Sequence, residues 1–193
     1  MSLMDDCEQI YLFRFLHIFL PSITLYQVAI FYPILCFSIS MILFFFLTRY
    51  LFDLWTSLIP TAFFAVFPLL VPRSMAGFSD RDVLCLLLSL SSFLLFIRSF
   101  QSSRIFVRYT SVFLSGLMQM LIGITWEGSG LFSSVIIIFL LVKLFWNRFD
   151  IQHFYLYLMW IIPVLSGIFL LTKSYLTLAP FALLAWGLPL YLM

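Results

Sequence analysis

Asp80 and Asp82 bracket Arg81 in a short polar island that Arg73 opens. The island separates two greasy runs: Leu54 to Pro72 carry no charge, and neither do Val83 to Ile97. Ionisable groups at the edge of such runs are few, and a cluster of them is a functional-site hypothesis. An Asp-x-Asp pair offers the hard oxygen ligands that Mg²⁺ or Mn²⁺ takes, usually with some water retained. A divalent ion held there would in turn hold a phosphate-bearing substrate. Asp and Arg would equally cap helix ends and fix topology, so the residues by themselves leave both readings open.

The elements that position this island are apolar throughout. Of 193 residues, 64% are hydrophobic and only 9% are charged. A water-soluble domain carries roughly 25% charged residues, so this chain has too little polar surface to cover a soluble globule. The long apolar stretches lack alternating polarity, which argues against a β-barrel and for an all-α, polytopic transmembrane bundle. The formal net charge of +2 is small and gives no sign of nucleic-acid binding. Cys7, Cys36 and Cys85 are far apart and form neither a metal signature nor a disulfide framework. The acidic start (Asp5, Asp6, Glu8) predicts no cleavable signal peptide.

Taken in order, residues 1–20 read as an interfacial amphipathic segment, with Arg14 and His17 spaced for one helical face and Pro21 as its breaker. Residues 21–193 read as a single transmembrane helical domain of about seven spans. The first lies within 23–47. The uncharged run from Phe15 to Thr48, with His17 neutral, exceeds one crossing of ~20 residues, so it must bend, and Pro33 is expected to mark the bend or the start of the span proper. The second is 54–70, with Pro60 and Pro68 inside it. The others are 83–100, 109–125, 131–145, 151–171 and 174–193. Gly116 and Gly123 share one face of the fourth and suit close helix packing. Trp126, Glu127, Gly128, Ser129 and Gly130 form a tight loop after it.

Basic residues set the orientation. Alternate loops hold Arg49, Arg98, Arg104, Arg108, Lys143 and Arg148 on one side, against Arg14, Arg73, Arg81 and Lys173 on the other. The first group should face the cytoplasm. Asp80, Asp82 and Glu127 then fall outside, with Asp5, Asp6 and Glu8, whereas only Asp53 and Asp150 fall inside. Acidic residues hardly influence orientation, so this split fits a cation-binding outer face, or simple tolerance of carboxylates there.

The stretch from Pro72 to Asp82, reading Pro-Arg-Ser-Met-Ala-Gly-Phe-Ser-Asp-Arg-Asp, closely resembles the second acidic motif of the catalytic subunit of oligosaccharyltransferases. In that family an Arg-Ser/Thr-x-Ala-Gly-x-x-Asp-x-Asp pattern follows a transmembrane helix on the outer side. Tyr32-Pro33-Ile34-Leu35 resembles the start of the family's preceding helix, and Thr125-Trp126-Glu127-Gly128 falls where the family often has Trp-Gly-Gly. The likeness covers roughly residues 15–172 and is closer to archaeal and bacterial members than to eukaryotic ones. It implies a GT-C-like fold in a prokaryotic plasma membrane, with the acidic motif on the extracytoplasmic side. It implies a glycosyltransferase that moves glycan from a polyprenyl-(di)phosphate donor to asparagine. Its partners would be a lipid-linked oligosaccharide, an acceptor protein carrying Asn-x-Ser/Thr, and membrane lipids. Asp80 matches the ligand of the divalent metal, Mg²⁺ or Mn²⁺, and Asp82 matches the second acidic member. Arg73 matches the residue that orients the loop or meets phosphate. Trp126 would approach the lipid diphosphate, and Glu127 replaces the commoner glycine in that substrate-binding loop.

The family's first catalytic aspartate precedes the Tyr-Pro helix. Asp5, Asp6 and Glu8 stand there without the family's surrounding pattern. The later outer-loop glutamate and the Trp-Trp-Asp-Tyr-Gly motif that reads the sequon have no counterpart. The expectation is a middle piece of the membrane half: inactive alone, completed by a second polypeptide, or a non-catalytic remnant or accessory protein with the same fold. Another lipid-linked-sugar transferase of the same architecture is the third reading.

Overall fold

In a computed structural model of the protein, residues 14, 17, 24–68, 70–75, 81–126, 128–146 and 151–171 are described. Among them the chain forms six α-helices and no strand. They are α1 (Leu25–Leu51), α2 (Leu54–Ala65), α3 (Arg81–Gln101), α4 (Ile105–Thr125), α5 (Ser129–Phe145) and α6 (Ile151–Leu171). A single 3₁₀ turn, Pro72–Ser74, stands between α2 and α3. The chain divides into two compact units, Met1–Leu90 and Ser91–Met193, and α3 contributes its first half to one and its second half to the other. Among the described residues three helices are long and apolar enough to cross a bilayer: α1, α3 from Asp82, and α4. The apolar segments in α2, α5 and α6 are shorter. With so many large hydrophobics facing outward, among them Phe31, Phe63 and Ile138, the bundle is built for a lipid solvent. The chain is a membrane protein.

In the first unit, Thr24 starts α1 with a capping box. Its hydroxyl accepts from the Gln27 amide at 3.4 Å, while the Gln27 side chain accepts from the Thr24 amide at 3.0 Å. The helix runs on through Pro33, which is buried. Pro33 removes one amide from the ladder and leaves the Ala29 carbonyl without its helical donor, a loss that packed helices tolerate. The helix beginning therefore lies at the Thr24 cap rather than at Pro33. At the other end the Phe52 amide donates to the Thr48 carbonyl at 2.8 Å, and the Arg49 guanidinium donates to the Phe52 carbonyl at 3.1 Å. α2 turns back along α1, with Phe64 stacked on Phe37 and Phe44 at centroid distances of 5.9 and 4.5 Å. α2 stops at Ala65, short of Leu70, because Pro68 follows closely and cannot continue it. Its 12 residues rise about 18 Å, less than the ~30 Å hydrocarbon core.

In the second unit, α4 and α6 form the main packed pair. Trp160, Tyr157, Val112, Ile136, Leu140 and Val164 make its core, with Phe96 of α3 against them. Gly116 lets the helices meet: a Cβ there would run into the Trp160 carbonyl oxygen and stand 2.6 Å from Pro163 Cγ. Gly123 has no such neighbour. Its nearest would be Ser129 Oγ at 3.7 Å, an ordinary contact, so of the two glycines Gly116 serves close packing. α3 joins α4 through two serines. Ser115 Oγ donates to the Ser92 carbonyl at 2.8 Å, and Ser92 Oγ donates to the Ser115 carbonyl at 3.0 Å. α4, α5 and α6 cover the stretches expected as the fourth, fifth and sixth spans, with α4 starting at Ile105 and α5 at Ser129. The expected seventh span lies outside the described residues. So does the amphipathic segment at residues 1–20, apart from Arg14 and His17, which are helical and exposed.

Candidate active site

The described residues of the polar island lie in the 3₁₀ turn, at Met75 after it, and in the first turn of α3. Pro72 opens the turn, where its fixed φ suits a helical start and its missing amide is not needed. The Ser74 amide reaches back to the Leu70 and Val71 carbonyls at 3.1 and 3.2 Å, and Ser74 Oγ donates to the Val71 carbonyl at 2.9 Å. Arg73 is the middle residue of this turn. The turn packs against α1. Met75 then leaves it in an extended conformation. Residues 76–80, with Asp80 among them, lie outside the described residues.

Asp82 lies in the first turn of α3. A carboxylate is favoured there by the unpaired amides and dipole of a helix N-terminus, by roughly 0.3–1 kcal/mol. Asp82 is half-buried, at the border between the apolar helix and the polar island. Directly after it the chain is anchored. Val83 is buried against Tyr32 and Cys36 of α1, with Phe37, Leu84 and Leu87 around them. Two stretches singled out in the sequence are thus brought together: the Tyr32-Pro33 segment forms the seat on which the Asp82 end of α3 rests. Among the described residues no group of three His, Cys, Asp or Glu side chains converges on one point. A hard cation seeks about six oxygens. Of the motif's two carboxylates only Asp82 is described, so a donor set is not assembled from the described residues alone.

Trp126 belongs to the second unit. It caps α4 in an extended conformation, and its amide donates to the Ile122 carbonyl at 2.8 Å. Its indole meets Phe132 at a centroid distance of 5.9 Å and folds back across Gly128. A Cβ on Gly128 would collide with the six-membered ring of that indole, at 2.5 Å from Cζ2 and 2.6 Å from Cζ3. Gly128 therefore seats Trp126, a role legible only as a Trp-x-Gly spacing. Glu127 lies outside the described residues. Below the loop, the buried Gln119 amide donates to Ser133 Oγ at 2.8 Å and to the Ser129 carbonyl at 3.1 Å, tying α4 to the start of α5. This polar crosslink was signalled by nothing stronger than a lone Gln in an apolar run.

These features describe an all-helical membrane protein with an acidic motif at the start of a membrane-length helix. The family described as Oligosaccharyl transferase STT3, N-terminal, matches residues 9–186. The chain belongs to that family, and the resemblance carried by the Arg73–Asp82 motif is thereby established. Among curated proteins none matches the chain.

Proposed function

We propose that this chain is the membrane part of an oligosaccharyltransferase-type glycosyltransferase, which transfers glycan from a polyprenyl-(di)phosphate donor to asparagine side chains in Asn-x-Ser/Thr sequences. The observation that carries this reading is the Arg73–Asp82 motif, hung from a short turn against α1 and fixed at its far end where Val83 packs on Tyr32. Such a mount fixes both ends of the motif. Asp80 and Asp82 are the catalytic acidic residues and hold Mg²⁺ or Mn²⁺. Bound there, that ion would supply positive charge to the reacting groups. Arg73 orients the loop or meets donor phosphate, and Trp126 and Glu127 lie in a second loop that binds the donor. The fold is of the GT-C kind with about seven spans. The motif faces the extracytoplasmic side of a prokaryotic plasma membrane, where a lipid-borne donor reaches it from within the bilayer.

Donor binding tests the reading without requiring turnover. Purified chain in detergent is titrated with a polyprenyl-diphosphate-linked oligosaccharide, with Mn²⁺ and with chelator. Binding should depend on Mn²⁺ and weaken at least about tenfold in Asp80→Asn, as expected when one charged ligand is lost from a site. Equal affinity in wild type and Asp80→Asn, or indifference to Mn²⁺, refutes the assignment.

A further inference from the structure

The end of the second unit opposite Trp126 is basic, aromatic and unlike the rest of the bundle. The C-terminal ends of α3 and α5 meet the N-terminal ends of α4 and α6 there. Phe100 stacks on His153 at 5.1 Å, Lys143 Nζ donates to His153 Nε2 at 3.2 Å, and Arg108 Nη1 donates to Gln152 Oε1 at 2.8 Å. Lys143 also lies over the Phe100 ring at 4.3 Å and near the Phe139 ring at 5.5 Å.

One serine organises three arginines. The Ser102 amide donates to the Arg98 carbonyl at 3.1 Å, and Ser102 Oγ donates to the Arg104 carbonyl at 3.3 Å. The Ser102 carbonyl accepts Arg108 Nε and Nη2 at 3.2 and 2.9 Å. Arg108 is thus used to brace the α3–α4 turn. Arg98 and Arg104 are held on the same turn but remain exposed, with no ion pair among the described residues. In the sequence this end carries Arg98, Arg104, Arg108, Lys143 and Arg148 against a single acidic residue, Asp150. At the same helix ends large apolar side chains face outward: Phe106 at 76% exposure, Trp146 at 73% and Phe145 at 85%. Tyr155 is exposed as well. Aromatic residues beside arginines mark the headgroup level of a membrane, where rings sit among acyl chains and guanidinium groups face phosphate.

We infer that the α3–α4 turn is a binding surface for anionic phospholipid headgroups, with Arg98 and Arg104 taking the phosphodiester and Phe106, Phe145 and Trp146 lying against the adjoining acyl chains. Charge selects the lipid class. A zwitterionic headgroup offers its phosphate together with a competing cation, whereas an anionic one leaves the attraction uncompensated. Arg suits the task better than Lys because its fork can pair two phosphate oxygens at once. The surface lies wholly within the second unit and owes nothing to the acidic motif, so it stands or falls separately from the proposed transferase reaction.

Native mass spectrometry of the full purified chain provides the test. The chain is released from micelles doped equally with phosphatidylglycerol and phosphatidylcholine of the same acyl chains, and retained lipid is counted. Wild type should retain phosphatidylglycerol preferentially. Arg98→Gln with Arg104→Gln should cut that preference by roughly thirty-fold if both charges act fully. The corresponding double Lys variant should keep most of it. Helix content by circular dichroism should be unchanged, because both side chains point away from the packed core. On wild type alone, raising the salt should erode the preference. No preference in wild type, an undiminished preference in the Gln variant, or insensitivity to salt overturns the inference. Displacement of the lipid by an equal concentration of inorganic phosphate also overturns it, since that marks a small-anion site rather than a lipid surface.

Discussion

Gly116→Ala should be among the most damaging single-methyl additions to the second unit. The new Cβ would meet the Trp160 carbonyl oxygen and approach Pro163 Cγ to 2.6 Å. Neither neighbour can swing aside: one is backbone and the other is a ring within α6. The two helices must therefore move apart, and α4 and α6 carry most of the packing in this unit. Overpacking of a tight core costs about 1–3 kcal/mol, and an unyielding backbone neighbour puts Gly116 near the upper end, at roughly 2–3 kcal/mol. That is about thirty- to hundred-and-fifty-fold in the folding equilibrium. Gly123→Ala is the internal control. Its methyl would sit 3.7 Å from Ser129 Oγ, an ordinary contact, and alanine recovers up to about 1 kcal/mol of helix propensity over glycine. Unfolding of both variants by graded sodium dodecyl sulfate in mixed micelles, followed by far-ultraviolet circular dichroism, measures the difference. Gly116→Ala should shift the midpoint strongly downward while Gly123→Ala leaves it level or raised. Equal midpoints would refute the α4–α6 spacing and with it the core built around Trp160.

Three further outcomes follow from the same geometry. Ser79→Cys should react with a membrane-impermeant thiol reagent on intact cells if, as proposed, the basic residues after α3 face the cytoplasm; labelling only after permeabilisation reverses the proposed topology. Gly128→Ala should displace the Trp126 indole, shift its emission (isolated by difference from the Trp126→Phe protein) and weaken donor binding several-fold; an unchanged emission spectrum would show that the ring does not rest on Gly128. Ser115→Ala removes one interhelical donor and should cost about 0.6 kcal/mol, with a ceiling near 1.7 kcal/mol, in the same unfolding assay. A larger loss would mean that the serine pair organises α3 against α4 rather than merely fastening it.

Much of the helical plan was legible because it follows from composition and punctuation. A chain this poor in charge must satisfy its backbone internally, and long apolar runs then have to be helices. Arg49 and Asp53, Arg98 and Arg104, and Lys143 fall at or near helix ends, where the sequence placed them. Proline was the weaker signal. Pro33 was expected to bend or start the first span; α1 starts instead after the Thr24 cap, and Pro33 lies inside it. The better signal was Thr24 with Gln27 three residues on, a capping box that fixes the start by two reciprocal hydrogen bonds. Pro68, expected inside the second span, instead follows the end of α2.

The candidate site was legible as a motif and not as a mount. Arg73, Asp80 and Asp82 stand out because charge is scarce around them, and scarcity can be read from one chain. What holds them cannot be read so directly. Tyr32, Cys36 and Val83 are ordinary apolar residues in apolar runs, and only packing makes them the seat beneath Asp82. In a bilayer no hydrophobic force distinguishes a Tyr that faces lipid from one that faces a neighbouring helix, so the pattern of polarity that marks a core in water is missing. The same blindness hid Gly128 beneath Trp126 and made Gly123 look equal to Gly116. Where charge is absent, shape is the remaining determinant, and shape appears in a sequence only as small residues whose neighbours are unknown. The polar residues that do occur in such runs are therefore the most informative ones. Gln119, Ser92 and Ser115 each turned out to tie one helix to the next, whereas buried Ser40 and Ser99 donate to carbonyls of their own helices.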